Sequence, residues 1–580
     1  MRQTYPEAVF DFIDTKAKKD STASSDTVQP FCDLALLKNE DNSPDYGTLE
    51  LNQFVLDGSK VILEDNSQPS QDIAFLGNTL SGTDLSFPKG KEPKLTISFT
   101  QTHSSVGITL RFAGTIPKAV ELTWYTLYGT KLITKVFYPD RNVYFCSANV
   151  QNYGKLTITF LGTSFPCRYA GIDFVKFGRR WPLSRETIKS ASVYEELDPT
   201  SAVLSINTAS MEIVDTEGNF VLADDTGLWN SLQKEQEIQL TEHIGGEEID
   251  CGTFFLDDWS SQKNIIKFSL IDRIGVMDKT DFYNGRIYDK VPAGELIREI
   301  MSSCGVEKYS VEEEIYNTPL SGWLGIQSHR SALQQVVFAC GAVADCSRSD
   351  WIRIYQPEQY VSHTVGLDRK FIGTKISRAE YISDVTVSYT GFSLSEESSQ
   401  ISNGELPAGR TRIAFSEPYL PESITVSAGT ILEASVNYVV IEMTEAAECL
   451  VQGRKYEAVE NAYTASVELM EAGETAQVKN FKGCTLMNQE RARKTAEYIL
   501  DFYQKRQLTE MKYINDGEAV GNWCDIALSD GGYATGAVLS QTLDLSGGNI
   551  GTVKCRGIGR TVTSFFYTGS ELYAGEEGLI

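Results

Sequence analysis

The chain has 580 residues, more than one hydrophobic core accommodates, so we expect about three to five domains. Apolar residues make up 41% and charged residues 22%, a globular composition that excludes a disordered chain or a fibre. The net charge of −26, from 52 basic and 78 acidic residues, argues against a stable grip on nucleic acid.

The N-terminal third is predicted to end in a β-sandwich. Residues 1–91 are polar and irregular and are predicted to form an arm with short strands. Within 92–178, runs such as 95–99 and 155–160 alternate apolar and polar residues, with turn residues between them. Strands of this kind spaced about 8–12 residues apart are typical of a sandwich or jelly roll.

A second β-unit and a mixed unit follow. Residues 179–275 are predicted as a β-unit, and 276–390 as an α+β domain with helices at 292–301 and 331–340. Pro292 at the start of the first helix, and Gly305 and Gly341 beyond the two ends, are typical helix boundaries.

The C-terminal part begins with an insertion. Residues 391–485 are predicted as an acidic, β-rich insertion, because 391–480 contain 14 Glu, no Asp and 5 basic residues. Residues 486–580 are predicted as a helix, at about 488–507, and a final β-unit. The predicted fold is therefore mainly β with α+β portions and several domains.

The acidity is uneven along the chain. Residues 1–178 contain 17 basic and 19 acidic residues, a net charge of −2, which leaves −24 for the remainder. Two interpretations stay open: an acidic, solvated surface, or the acidic lumen of a tube that repels passing DNA.

Sequence patterns that carry chemistry are missing. None of the four histidines lies in an H-E-x-x-H motif, and neither a G-x-S-x-G nor a P-loop motif occurs. The 11 cysteines form no C-x-x-C pair, so we expect reduced, mostly buried thiols. We predict no enzyme, no catalytic residue, no metal site, no cofactor and, without a run of 18 apolar residues, no membrane span.

Five aromatic residues of the predicted sandwich are candidate carbohydrate contacts. Exposed Trp and Tyr rings offer a flat apolar platform for a sugar ring. The alternative, that these rings pack across strands or in the core, stays open. The candidates are Trp124, Tyr125, Tyr128, Tyr144 and Tyr153.

The order of several segments carries a resemblance. The segments are 171–178, 202–208, 212–215, 232–238, 251–259, 271–280, 518–526 and 545–548. In this order they resemble the baseplate-hub or tail-hub family of tailed phages, in the form found in prophages of Gram-positive bacteria. The resemblance covers roughly residues 183–375 and resumes at 488–567, and residues 46–58 resemble the opening of such prophage proteins.

The resemblance implies a structural hub at the distal end of a phage tail or phage-like injection device. Each subunit of a homotrimer would contribute two similar β-barrels, at roughly 183–275 and 508–567, to a ring around the channel. The ring would join the tail tube or a distal tail protein to a tip, spike or receptor-binding protein, and would contact the tape-measure protein. The protein would be assembled in the cytoplasm of the host bacterium and would reside in the virion.

Two other functions remain as alternatives. The first is a tail-tip protein that binds a receptor or glycan on the host surface through the sandwich at 92–178. The second is a polysaccharide-degrading tail enzyme, which would need two carboxylates facing one cleft.

Overall fold

The computed structural model describes residues 4–39, 46–47, 50, 61–62, 73–215, 232–357, 359–468, 470, 473–529 and 531–560. The described residues form eight β-sheets and six α-helices, so the predicted mainly β, multidomain fold is confirmed. Most of 46–58 and the end of the second predicted barrel, 561–567, lie outside the described residues.

The N-terminal half of the chain is built mainly of strands. Up to the end of the predicted sandwich the elements are β1 (Thr4–Ile13), α1 (Thr15–Asp20), β2 (Thr22–Ser24), β3 (Tyr46–Gly47), β4 (Val61–Ile62), β5 (Phe75–Leu76), β6 (Lys94–Ala113), β7 (Pro117–Tyr125), β8 (Lys131–Phe137), β9 (Val143–Thr163) and β10 (Gly171–Lys176). The next unit contains β11 (Gly178–Leu183), β12 (Ile188–Glu196), β13 (Thr208–Val214), β14 (Glu237–Ile244), β15 (Glu247–Gln262) and β16 (Ile265–Ile271).

The C-terminal half alternates helical and β portions. Its first part contains α2 (Arg273–Met277), β17 (Asp281–Phe282), β18 (Ile287–Pro292), α3 (Ala293–Cys304), β19 (Tyr309–Val311), α4 (Glu313–Tyr316), β20 (Pro319–Trp323), β21 (Gln327–Ser328), α5 (His329–Cys340), β22 (Val343–Asp345), β23 (Ile352–Tyr355), β24 (Val361–Val365) and β25 (Lys375–Arg378). The remainder contains β26 (Asp384–Leu406), β27 (Gly409–Ala414), β28 (Thr425–Val426), β29 (Thr430–Ala434), β30 (Tyr438–Met443), β31 (Ala447–Ser466), β32 (Val478–Phe481), α6 (Gln489–Gln504), β33 (Gln507–Ile514), β34 (Trp523–Ala527), β35 (Tyr533–Asp544) and β36 (Ile550–Arg560).

The three long helices lie where the sequence predicts them. Helices α3 and α5 end at Gly305 (φ 71°) and Gly341 (φ 67°), in the left-handed conformation that glycine adopts without steric cost. Ser328 caps the start of α5 and Asn488 the start of α6, each accepting a hydrogen bond from a backbone N–H three residues on. Buried residues of all three helices, including Ile300, Leu333 and Ile499, share one core.

One thirteen-stranded sheet joins distant parts of the chain. Its order is β11–β1–β14–β15–β16–β13–β12–β35–β36–β33–β25, and β34, with β24 beside it, branches from β35. Strands β12 and β35 are antiparallel neighbours from Ser192↔Asp544 to Glu196↔Ser540. The N-terminal and C-terminal β-units are therefore hydrogen-bonded into a single sheet.

Strands of the large sheet contribute to two separate hydrophobic cores. The first core contains Phe10 of β1, Val193 of β12 and Phe268 of β16. Strands that are distant in the sheet order therefore bury side chains in the same core. Met511 of β33 and Ile526 of β34 belong to the second core. Most residues of the first core lie between 183 and 270, and most residues of the second lie between 511 and 555.

The first strand differs from the prediction. Residues 4–13 were expected in the N-terminal arm, but β1 pairs with both β11 and β14 in the large sheet. Ala8 and Phe10 alternate with less buried neighbours and are fully buried. The short apolar alternation at 8–10 is enough for a strand because partners on both sides satisfy its backbone.

The sandwich is inserted between the first two neighbouring strands of the large sheet. Ile13 of β1 pairs with Gly178 of β11, and the Asp14 N–H donates to the Phe177 carbonyl at 3.0 Å. The chain therefore leaves the large sheet after Ile13 and returns to it at Gly178, directly beside the point where it left. The main sheet of residues 14–177 has the order β5–β10–β6–β9–β7–β8, with β2 also on β6, and its long strands enclose one core.

The acidic insertion consists of a ribbon of two long paired strands, flanked by the short strands β28 and β32, and a small β-module. Strands β26 and β31 pair from Asp384↔Ser466 to Leu406↔Ala447. The module contains the sheet β27–β30–β29 and has its own core, which includes Val439 and Val451. The ribbon starts at β26, a few residues before the predicted insertion boundary at 391.

Candidate functional site

The candidate site is the junction between the two halves of the large sheet, which the α+β domain also reaches. Arg348 lies in the connection between β22 and β23 and has φ 51°, a left-handed conformation that non-glycine residues rarely adopt. The approach of this connection to the sheet is close: a Cβ on Gly252 of β15 would lie 3.4 Å from the Arg348 backbone nitrogen.

Arg348 forms a buried ion pair with the strand that joins the two halves. Its Nε donates to Glu195 Oε1 of β12 at 3.0 Å, and the two side chains are 13% and 1% exposed. Its Nη1 donates to Asn515 Oδ1, beyond β33, at 3.4 Å. Burial opposes the charge of Arg348, but the carboxylate of Glu195 raises the pKa of the guanidinium. One side chain of the α+β domain thus contacts both halves of the sheet.

A buried hydrogen-bond network continues from Glu195 into the second half. Gln541 Nε2 of β35 donates to Glu195 Oε2 at 2.5 Å and to the Glu518 carbonyl at 2.9 Å. Tyr513 Oη donates to Gln541 Oε1 at 2.9 Å, and Asn515 Nδ2 donates to Tyr513 Oη at 2.7 Å. A second buried ion pair, Arg369–Glu518 at 2.6 Å, lies beyond this network. Since the polar groups satisfy one another, the network holds a single arrangement of the strands.

Glu242 of β14 adds an unpaired carboxyl group to the junction. Glu242 is 1% exposed, and its Oε1 accepts no hydrogen bond from any described residue. Burial raises its pKa to about 8, although Arg348 opposes the shift. Nη2 of Arg348 is also buried and unpartnered among the described residues. Neutral Glu242 leaves Arg348 and Glu195 as a balanced pair.

The five candidate carbohydrate aromatics occupy different environments. Trp124 and Tyr153 are fully buried in the sandwich core, so the structure corrects their prediction as surface contacts. Trp124 on β7 and Tyr153 on β9 share this core with residues such as Phe160. Tyr128 is 96% exposed, and Tyr125 and Tyr144 are partly exposed. These three remain candidates.

His103 connects α1 to the sandwich. Its Nδ1 lies 2.8 Å from Asp14 Oδ2 and its Nε2 lies 2.8 Å from Asp20 Oδ2. Asp14 also caps α1, accepting from the N–H groups of Lys16 and Ala17. Burial opposes ionisation of Asp20, but hydrogen bonds from Thr100, His103 and Gln101 together lower the pKa of its carboxyl well below its usual range.

The insertion is anchored to the α+β domain by a second contact besides its ribbon. Asn437 is fully buried; its Nδ2 donates to the carbonyls of Gly285 at 2.8 Å and Leu324 at 2.9 Å, and its Oδ1 accepts from Trp323 Nε1 at 2.7 Å. Beside it, the Arg412 guanidinium lies 4.8 Å from each of two tyrosine rings, those of residues 283 and 438. The module is therefore fixed in orientation.

The chemistry of the cysteines is that of buried thiols. All 11 cysteines lie in the described residues and none forms a disulfide. Burial raises the pKa of Cys340 and of Cys484 to about 12, which keeps these thiols protonated and unreactive. Within the described part of the chain, no group of three or more His, Cys, Asp or Glu could hold a metal ion. No helix among the described residues is long and apolar enough to cross a membrane.

Sequence reasoning missed the junction. Its members lie as far apart as Glu195 and Gln541, and no motif links them. One signal was available: Glu242 follows Ile238 and Leu240 at two-residue spacing in β14, so a strand assignment places a carboxyl group among inward-facing positions.

Comparisons with known proteins give weak structural likenesses. No family model and no curated protein matches the chain. A prophage MuSo2 43 kDa tail protein from Shewanella oneidensis has 10% identity and a TM-score of 0.37, covering 65% of this chain and 95% of that one. A tail protein from Neisseria meningitidis has 8% identity and a TM-score of 0.40, covering 64% and 93%. The prophage tail protein gp18 from Listeria monocytogenes has 7% identity and a TM-score of 0.36, covering 65% and 91%. TM-scores below 0.5 are too low to establish a shared fold.

Proposed function

We propose that this chain is a structural protein of a phage tail or phage-like injection device, and that it forms the ring-shaped hub at the distal end. The observation that carries the proposal is the continuity of the large sheet through β12 and β35, with one hydrophobic core on each side. If each subunit contributes two similar β-units, a trimer presents six such units, which matches the six subunits of a hexameric tube.

The ends of the large sheet suit head-to-tail assembly. Strand β11, with β6 of the sandwich beside it, lies at one end of the sheet, and β25 lies at the other. An interface between the two ends of neighbouring copies is heterologous and closes a ring at the right rotation. At the β25 end, Leu367, Phe371, Ile372 and Ile376 are 57%, 42%, 106% and 48% exposed. Exposed apolar side chains beside a terminal strand favour an interface with another chain.

The proposed role is structural rather than catalytic. In the junction, the Arg348–Glu195 pair and the Gln541 network are largely buried and hydrogen-bonded to one another, and Arg348 Nη2 is the guanidinium nitrogen without a partner among the described residues. Such groups fix strand positions, whereas catalysis needs groups that face a substrate. The proposed partners are the tail tube or a distal tail protein, the tape-measure protein, and a tip, spike or receptor-binding protein.

The proposed location is the virion, after assembly in the cytoplasm of the bacterial host. Eleven unpaired thiols suit synthesis in a reducing compartment.

Mass photometry and negative-stain imaging of the purified chain test the proposal. The expected result is a trimeric ring with a central hole that a DNA duplex can pass. Replacing Ile372 and Ile376 with Asp should return the ring to monomers, because each substitution buries a charge at the interface. The matched control is Val459→Asp, a 57% exposed position of the ribbon. A monomer at all concentrations, alone and with isolated tail tubes, would reject the ring.

A further inference from the structure

The face of the sandwich that points away from its core has an ordered set of side chains. Strands β6, β9, β7 and β8 are neighbours, and β2 adds a short edge beside β6. Side chains of Leu95, Ile158 and Leu122 lie in one cross-strand row and face the core. The next row faces outward and consists of hydroxyl residues on all five strands: Ser24, Thr96, Thr157, Thr123 and Thr134.

The hydroxyl row forms the floor of this outer face. At a strand spacing of about 4.8 Å, five strands extend the row over about 19 Å. Thr157, in the middle, is 4% exposed, and its hydroxyl forms no hydrogen bond to a described residue. Thr123 Oγ1 lies 2.9 Å from Thr134 Oγ1. A row of hydroxyl groups offers hydrogen-bond donors and acceptors to a polar ligand.

Charged and aromatic side chains flank the hydroxyl row. On one side, Lys155, Tyr125 and Lys131 form the next outward row, and Lys155 Nζ lies 5.2 Å from the centre of the Tyr125 ring. On the other side of the hydroxyl row, Lys94 lies at the start of β6 and Glu121 lies within β7; both pair with Thr159 of β9. Among the described helices and strands, β9 alone packs closely against β7 and β8 besides their contact with each other.

The charge of this region is opposite to that of the chain. From β6 to the end of β10, residues 94–176 contain nine basic and three acidic residues, a net charge of +6. The whole chain has −26, so the remainder has −32. The basic residues are Lys94, Arg111, Lys118, Lys131, Lys135, Arg141, Lys155, Arg168 and Lys176, and the acidic residues are Glu121, Asp140 and Asp173. The positive charge is confined to these strands, because residues 14–93 of the same inserted unit carry −7, so β6 to β10 are the part of the unit whose charge favours a polyanion.

We propose that the outer face of β6, β9, β7 and β8 binds an anionic polysaccharide. Lys94, Lys131 and Lys155 would pair with its carboxylate or phosphate groups, and the hydroxyl row would hydrogen-bond to its sugar hydroxyls. Tyr125 would supply an apolar platform at one end. The proposal assigns the predicted carbohydrate contact to a defined face and does not depend on the ring.

A nucleic acid fits this face less well. Duplex DNA carries one negative charge per roughly 1.7 Å of its length, so about 19 Å of contact presents far more charge than three lysines neutralise. Hydroxyl side chains on a flat sheet offer sugar hydroxyls many partners but read no bases.

Calorimetric titration of the full chain with polygalacturonate, and with neutral dextran of equal length, tests the proposal. We expect binding to polygalacturonate and at least tenfold weaker binding to dextran. Replacing Lys94, Lys131 and Lys155 with Gln should weaken the binding at least tenfold. Thr157→Val, which keeps the charge and the shape, should weaken it several-fold.

The control removes the same charge elsewhere. Lys189, Lys234 and Lys267 are exposed on the first half of the large sheet, and their replacement with Gln should leave binding unchanged. Equal loss in this control, equal affinity for dextran, or no binding would reject the proposal. Tighter binding of duplex DNA than of polygalacturonate would also reject it and indicate a nucleic-acid surface. Ring assembly by mass photometry is scored on the same variants, so a failed ring and a failed glycan site are distinguishable.

Discussion

Arg348 and Glu195 form an ion pair at the boundary between the two halves of the large sheet, and Arg348 belongs to neither half. The hydrogen bond is 3.0 Å long and Glu195 is 1% exposed. Glu195 also accepts from Gln541 of the neighbouring strand β35. Strand β12, strand β35 and the connection between β22 and β23 therefore all contact one buried carboxylate. A change at Glu195 or Arg348 affects the orientation of these three portions relative to one another.

Replacing Arg348 with Met should destabilise the junction strongly. The substitution keeps much of the side-chain length but leaves Glu195 buried without its cation, a loss of about 3–5 kcal/mol. Urea unfolding followed by tryptophan fluorescence measures it. Arg410→Met is the control, because Arg410 is 73% exposed in its pair with Glu442 and such pairs contribute about 1 kcal/mol or less. Equal midpoints for the two variants would contradict a central role for Arg348.

Glu242→Gln should make the protein more stable near pH 8 than the wild type, and no more stable at pH 4. The pKa of Glu242 is raised to about 8 when folded, against 4.5 ordinarily. Below pH 4.5 both folded and unfolded chains hold the proton. As the pH rises from 4.5 to 8, the unfolded chain releases the Glu242 proton more readily than the folded chain does, so the free energy of unfolding of the wild type falls. Gln carries no proton to lose.

The measurement for Glu242 is the difference in melting temperature between variant and wild type at several pH values. That difference should grow between pH 4.5 and 8 and then level off, and it corresponds to on the order of 5 kcal/mol at most. Groups common to both proteins cancel. Parallel curves would show that Glu242 titrates normally.

His103→Phe should loosen α1 while leaving the sandwich core folded. Phe fills the space of the ring but donates to neither Asp14 nor Asp20, and each lost charge-assisted bond is worth about 1.5–3 kcal/mol. Hydrogen exchange of the α1 amides should quicken by tenfold or more. His363→Phe, at a partly exposed strand position, serves as the control. Unchanged exchange in α1 would contradict the role of His103.

Lowering the pH should weaken the contact between Asp20 and the sandwich only below the ordinary pKa of an aspartate. The pKa of Asp20 is lowered in the folded chain, so its stabilisation is present above its ordinary pKa of 3.8. It is lost as the pH falls through the lower, folded value. We therefore expect wild-type protection of α1 to persist at pH 4, measured by hydrogen exchange at that pH.

Local sequence patterns predicted the helices and many strands correctly, because capping residues and apolar alternation lie within a few residues of each element. Pro292, Gly305 and Gly341 bound two helices within a few residues of the predicted ends. The assignment of β1 failed because its partners, β11 and β14, lie about 165 to 240 residues later in the chain, and only their pairing buries Phe10.

The site was harder to predict than the fold, for a physical reason. Trp124 was a candidate surface contact, with a core position left open, because aromatic residues in β-strands serve in both places. Which side of the strand it faces depends on neighbours such as Ile133. The Glu195–Gln541 contact joins residues 346 positions apart, so no local pattern contains it.

Asn437→Asp should release the insertion module from the α+β domain more completely than Asn437→Ala. The Asn437 amide donates to the carbonyls of Gly285 and Leu324, and a carboxylate in its place would face both with like partial charge in a buried position. Alanine removes the hydrogen bonds without adding that repulsion. The module should stay folded, because its core, including Val439 and Val451, is separate.

Hydrogen exchange resolved by peptide measures this release. Amides around Gly285 and Leu324, and those of β29 and β30, should lose protection in Asn437→Asp, while β12 and β35 keep theirs. Asn461→Asp, at an exposed ribbon position, introduces the same charge and should change nothing. Protection lost evenly across the chain would mean global destabilisation, and full protection near Gly285 would mean that Arg412 and its two tyrosine neighbours alone hold the module.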